Sequence, residues 1–257
     1  MRLLHLLHAA LAVPQLPWMY RDAQRILRSV PKLPDATGPS GVANIGAGPV
    51  FRLLCLGEST MAGVGVATHA EGFAGTLARE LGTHLQREVA WNVYAKSGAT
   101  VRVLIEKTLP QIAVERVDLI VIATTANDGF KLTTPDRFRR DAQEMIELLQ
   151  TRFPGTPIAF TNVPPIDEFP AFTPLIKRTI GRLVRFHGEE LERLSKQPGV
   201  YFNAEQITLA TWLEKHKVQG EVGDFFSDGV HPSGLTYQTW ARDFASYLLE
   251  NEVVKQD

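Results

Sequence analysis

Ser59 follows Gly57-Glu58 directly after the apolar run Phe51–Leu56, where a buried strand would end, and Asp228 stands three residues before His231 in the turn-prone stretch Ser227–Ser233. A serine hydroxyl is a weak nucleophile until a base takes its proton, and the base must be held in one tautomer. His231 has the chemistry of that base and Asp228 that of the orienting carboxylate. Attack on a carbonyl would also create an oxyanion, which needs donors aimed at it in advance. The backbone N–H of Ser59, the backbone N–H of Gly98 and the side-chain amide of Asn127 are donors of the required kind. The chemistry these types support together is acyl transfer through a serine.

Such residues act only if the chain brings them to one place. Short apolar runs at 51–56, 89–94, 119–124, 157–161 and, more weakly, 200–202 alternate with amphipathic stretches, the pattern of a parallel sheet covered on both faces. Phe73, Leu77, Leu81 and Leu85 fall four apart. Thr134-Pro135 opens a second helix whose inner face is Phe138, Ala142, Met145 and Leu149, and a last one follows His231 with Tyr237, Trp240, Ala241, Phe244 and Leu248 inward. In such sheets the carboxyl ends of the strands converge on one crevice. Ser59, Ser97-Gly98 and Ala126-Asn127-Asp128 all fall just past a strand.

With these blocks in hand the chain resembles the SGNH hydrolases, also called GDSL-type lipases or esterases. That family is defined by serine, glycine, asparagine and histidine in four separated blocks, here Ser59, Gly98, Asn127 and His231 in that order. Gly57-Glu58-Ser59 stands where the family usually has Gly-Asp-Ser. Thr125-Ala126-Asn127-Asp128 stands where it has Gly-x-Asn-Asp, so a threonine replaces a glycine, while Asp228-Gly229-Val230-His231 keeps the Asp-x-x-His pattern intact. The resemblance implies a flavodoxin-like three-layer α/β/α sandwich with a five-stranded parallel sheet in the order 2-1-3-4-5. It also implies catalytic Ser59, Asp228 and His231, an oxyanion hole from Ser59, Gly98 and Asn127, no cofactor, and cleavage of a small-molecule or lipid carboxylic ester. A thioesterase, a carbohydrate acetyl esterase or an acyltransferase would use the same residues, and a non-catalytic binding module could keep the fold.

Other readings are weaker. Gly57-Glu58-Ser59-Thr60 alone is also what a strand-to-helix turn with a serine cap looks like. Gly63-Val64-Gly65 lacks the third glycine of a dinucleotide loop, since Thr68 holds that position. A net charge of −1 gives no overall footprint for nucleic acid. The seven histidines are scattered and Cys55 is the one cysteine, so neither a metal site nor an internal disulfide is expected. Phe130, Met61, Val64, Phe169, Phe172, Phe225 and Phe226 flank the motifs and either line an apolar acyl site or pin loops to the core. The loop Val163–Pro170 is a candidate rim or lid.

Three regions are expected: an apolar and basic N-terminal extension over 1–33, a Pro/Gly-rich linker over 34–50, and the catalytic domain over 51–250. Leu3–Val13 is apolar apart from His5 and His8, but Pro14 and Pro17 interrupt it well short of the ~20 residues a membrane span needs. Ala10-Leu11-Ala12 has the small-x-small form of a signal cleavage site behind a single arginine. Arg2, Arg21, Arg25, Arg28 and Lys32 face only Asp22 in the first 32 residues. Residues 1–32 are therefore expected either to lie on an anionic membrane surface or to form a helix packed across the catalytic domain or a partner subunit, with a cytoplasmic or peripheral location favoured over secretion.

Overall fold

The computed structural model describes residues 12–44, 46, 48–217 and 220–255. Strands β1 (Ser40–Ala43), β2 (Gly48–Gly57), β3 (Arg87–Ala95), β4 (Leu119–Ala123), β5 (Ile158–Phe160) and β6 (Val200–Phe202) form one sheet in the order β1-β3-β2-β4-β5-β6. From β3 to β6 every pairing is parallel, which is the expected order of five strands. The α-helices of more than one turn, in chain order, are α1 (Leu16–Ser29), α2 (Phe73–Leu85), α3 (Ala126–Phe130), α4 (Pro135–Arg152), α5 (Pro174–Leu194), α6 (Leu209–His216) and α7 (Gly234–Glu250).

Alternation along the strands splits the core into two layers. Leu53 and Cys55 of β2 pack with Leu119 and Val121 of β4 against Leu77 and Leu81 of α2 and Phe244 and Leu248 of α7. Leu54 and Leu56 pack with Ile120 and Ile122 on the opposite face, against Phe138, Met145 and Leu149 of α4 and Leu191 of α5. Every residue of β4 is buried, as a strand covered on both faces must be. Cys55 is completely buried, and burial pushes its thiol pKa far up, so it is a small core residue.

Helix starts follow their sequence signals. Thr134, Thr173 and Ser233 accept the N–H of Arg137, Ile176 and Thr236 at the N-termini of α4, α5 and α7, the first two with proline at the next position.

The structure adds a sixth strand to the five expected. β1 lies inside the stretch 34–50 that composition marks as a linker, pairing antiparallel with β3, and Thr37 bridges to Thr68 farther along. Glycine and proline argue against strand structure in general. At Gly41, however, a β-carbon would sit 2.1 Å from the Trp91 ring, so the absence of a side chain is what lets the indole lie across the edge strand.

The N-terminal helix α1 lies on the domain. Its Met19 is buried with Phe169, Phe172, Ile176 and Ile180, and Ile26 packs beside them. Asp22 Oδ2 accepts the Thr173 hydroxyl at 2.8 Å, and Gln15 Oε1 accepts from Arg178 at 2.8 Å. The apolar Leu3–Leu11 segment lies outside the described residues. Among the described residues no helix is long and apolar enough to cross a membrane.

Candidate active site

Three neighbouring strands deliver three of the candidate residues to one edge. Gly57 at the end of β2 is paired with Ala95 of β3 and Ala123 of β4, so Ser59, Gly98 and Asn127 follow the carboxyl ends of adjacent strands by two, three and four residues. Two hydrogen bonds close the seam, Lys96 N–H to Gly57 O and Glu58 N–H to Ala123 O, each 3.1 Å. Ser59 and Asn127 are half-buried and Gly98 is exposed. Gly98 has φ +79° and a β-carbon there would meet no atom within 4 Å, so backbone conformation, not crowding, selects glycine.

The fourth block docks on the loop that follows the serine. Val64 N–H bonds Ser59 O at 3.1 Å, the Tyr237 hydroxyl donates to Val64 O at 2.8 Å, and the Ser227 hydroxyl donates to Gly65 O at 3.0 Å. On the other side Ala171 N–H reaches Gly229 O at 3.1 Å, which ties the loop after β5 to the same turn.

Within that turn Asp228 is fully engaged. Oδ2 lies 2.7 Å from His231 Nδ1, and Oδ1 accepts the N–H groups of Val230 at 2.9 Å and His231 at 2.7 Å. Burial would raise the carboxyl pKa, but the bonds from His231 and Val230 outweigh it and hold the group below the ordinary carboxylate value. The Asp228 side chain is 0% exposed and the imidazole 23%, so the ring is pinned at Nδ1 and remains partly exposed. A carboxylate held in this way fixes the tautomer of its histidine.

The structure also identifies positioning groups that sequence reading passed over. Glu58 is buried, and its two carboxyl oxygens accept the N–H groups of Ala126 at 3.1 Å and Asn127 at 2.9 Å. These are the first N–H groups of α3, left without intrahelical partners. Burial pushes the Glu58 carboxyl up to about 7, against the pull of the Asn127 and Ala126 N–H groups. Asp128, also buried, accepts Val101 N–H at 2.9 Å and so couples the loop carrying Gly98 to the loop carrying Asn127. Burial pushes its pKa up to about 6.

Thr125 explains why glycine is usual at its position in the family. It has φ +111°, a region that a β-branched residue enters only under strain, and its hydroxyl is buried without a partner among the described residues. The cap it does not provide to α3 comes from Glu58 instead.

The apolar residues that flank the motifs differ in their surroundings. Met61, Val64 and Phe225 are core residues. Phe130 meets Phe172 edge-on, with ring centroids 5.3 Å apart. Phe169 and Phe226 line a cavity beside the nucleophile loop, together with Glu58, Thr60 and Pro232. Pro164 and Pro165 of the expected rim loop belong to its wall.

Comparison with known proteins identifies the family and the fold. The model of the GDSL-like lipase/acylhydrolase family matches residues 55–239. Solved structures of similar fold include the lipase Lip_vut3 from a goat rumen metagenome, at 19% identity and TM-score 0.58, covering 76% of this chain and 96% of that one. The hydrolase LAE5 from the Lake Arreo metagenome has 15% identity and TM-score 0.58, with 82% and 98% covered. An extracellular lipase from Streptomyces rimosus has 13% identity and TM-score 0.55, with 79% and 100% covered. No curated protein sequence matches the chain.

Proposed function

The chain belongs to the GDSL-like lipase/acylhydrolase family, and from that premise we propose that it cleaves carboxylic esters through an acyl-Ser59 intermediate. The observation that carries this reading is the Asp228–His231 pair at 2.7 Å, fixed by two further backbone bonds and docked on the loop that follows Ser59.

In this mechanism His231 Nε2 takes the Ser59 proton as the hydroxyl oxygen attacks the ester carbonyl, and Asp228 steadies the imidazolium that results. The N–H groups of Ser59 and Gly98 and the amide of Asn127 receive the oxyanion. Collapse breaks the ester C–O bond, and the alcohol leaves with the proton from His231. Water, deprotonated by the same histidine, then attacks the acyl-enzyme and releases the acid. Apart from the ester and water, each step uses groups the chain itself supplies.

The preferred substrate has an apolar acyl group, and the enzyme meets it at a surface. The supporting feature is α1, where Trp18, Tyr20, Arg21 and Arg25 are exposed while Met19 anchors the helix to the domain. Aromatic and basic side chains on one exposed element suit an anionic lipid interface.

The kinetic test is a double-mutant cycle. Ser59→Ala and His231→Ala should each remove on the order of 10⁴–10⁶ of kcat, with the double variant little worse than either, because the residues act as a unit. Additive losses would exclude the assignment.

A further inference from the structure

Between α1 and β1, outside all four motif blocks, residues 35–39 run across the loop that follows Ser59. Ala36 N–H donates to Ala62 O at 2.9 Å, Thr37 N–H donates to Ala67 O at 3.0 Å, and His69 N–H returns to Thr37 O at 2.9 Å. The Thr37 hydroxyl adds a bond to Ala67 O at 3.1 Å. The approach is close, since a β-carbon at Gly63, whose φ is +72°, would sit 2.6 Å from the Ala36 methyl. At its far end the segment joins the sheet through Val93 N–H to Pro39 O at 2.7 Å. It is therefore tied both to the nucleophile loop and to β3.

The same segment reaches the loop after β3. The Ser97 hydroxyl donates to Asp35 Oδ1 at 2.6 Å, the length expected for a hydroxyl on a carboxylate. From within, that loop is held by Lys96 N–H to Gly57 O, by Ala99 N–H to Lys96 O at 3.1 Å and by Val101 N–H to Asp128 Oδ2. Ser97 and Gly98 form its exposed tip. The Gly98 N–H belongs to the peptide unit that Ser97 begins, and a glycine at φ +79° lets that unit rotate at little steric cost. Holding the Ser97 side chain limits the rotation.

We infer that Asp35 is a positioning residue for the oxyanion hole, acting through Ser97 to keep the Gly98 N–H aimed at the carbonyl oxygen of an ester at Ser59. The inference rests on Ser59 being the nucleophile and Gly98 an oxyanion donor. Asp35 and Ser97 are both exposed, so their bond adds little to global stability and its effect falls on the reaction. A donor turned away from the oxyanion weakens a bond that forms mainly in the transition state, while substrate binding is left alone.

The test is kcat and KM on p-nitrophenyl acetate for the full chain, with the urea unfolding midpoint measured for each variant. Asp35→Ala and Ser97→Ala should each lower kcat by about 10-fold at nearly constant KM and constant midpoint, short of the roughly 10²–10³ that loss of a whole oxyanion donor costs. The double variant should be no slower than either single one, because the two changes break the same bond. Asp35→Asn, which keeps an acceptor oxygen, should recover most of the rate. An unchanged kcat in Asp35→Ala, losses that add in the double variant, or a kcat loss accompanied by a lowered midpoint would each overturn the inference. Failure of the underlying reading looks different: Ser59→Ala would then turn over the ester as fast as the wild type.

Discussion

Thr125 and Glu58 together set the position of Asn127, and each makes a prediction at the scale of one side chain. Holding a β-branched residue at φ +111° costs about 1–2 kcal/mol, and glycine gives back part of that through its extra unfolded-state entropy. Thr125→Gly should therefore stabilise the fold by roughly 1 kcal/mol, read as a higher urea midpoint at constant m-value, with kcat retained. A fall in kcat in the folded variant would give Thr125 a role of its own. Glu58 makes a pH prediction. Its carboxyl titrates at an ordinary 4.5 when unfolded and at about 7 when folded, so its contribution to stability is full below 4.5 and is lost as pH rises through 7. Glutamine has no such proton, so the stability advantage of wild type over Glu58→Gln should shrink by roughly 3 kcal/mol between about pH 4 and pH 8. An advantage that holds constant across that range would remove the buried carboxyl from the account. The pairing of Asp228 with His231 and the place of Ser59 just past a strand were legible in the sequence because both follow from residue type and local spacing. The strain at Thr125 and the clamp from Glu58 were not, since φ leaves no mark in composition and the clamp joins residues 68 and 69 positions apart.

Elements fared differently according to how much of their burial is local. The five parallel strands could be read directly, because each carries a short apolar run, and β4 and β5 are buried on both faces throughout. β1 could not, because an edge strand needs little apolar surface and its Gly41 answers to Trp91, fifty residues away in the chain. The seat of α1 was open between the domain and a membrane, since it depends on the surface of α5, which no local pattern describes. The edge strand carries its own test. Gly41→Val should cost about 1–3 kcal/mol by overpacking against the indole, measured by denaturant unfolding. A neutral result would mean that β1 is dispensable to the sheet.

Over the whole molecule a net charge of −1 hides a strong polarity. Arg21, Arg25 and Arg28 of α1 face only Asp22, and the packed helix α5 carries Lys177, Arg178, Arg182 and Arg185 with no acidic residue between Pro174 and Phe186. Near an anionic surface each such side chain is worth about 1 kcal/mol, so Arg21, Arg25 and Arg28 changed together to Gln should weaken sedimentation with phosphatidylserine vesicles by on the order of 100-fold. Unchanged binding, or equal binding to neutral vesicles, would remove the interfacial role. The catalytic reading depends on Ser59 being an activated nucleophile, which covalent labelling measures directly. A fluorophosphonate reacts only with an activated hydroxyl, so intact-mass analysis should find one adduct per chain in the wild type, none in Ser59→Ala, and greatly slowed labelling in His231→Ala. An adduct that persists in Ser59→Ala, or a wild type that does not label, would contradict the account.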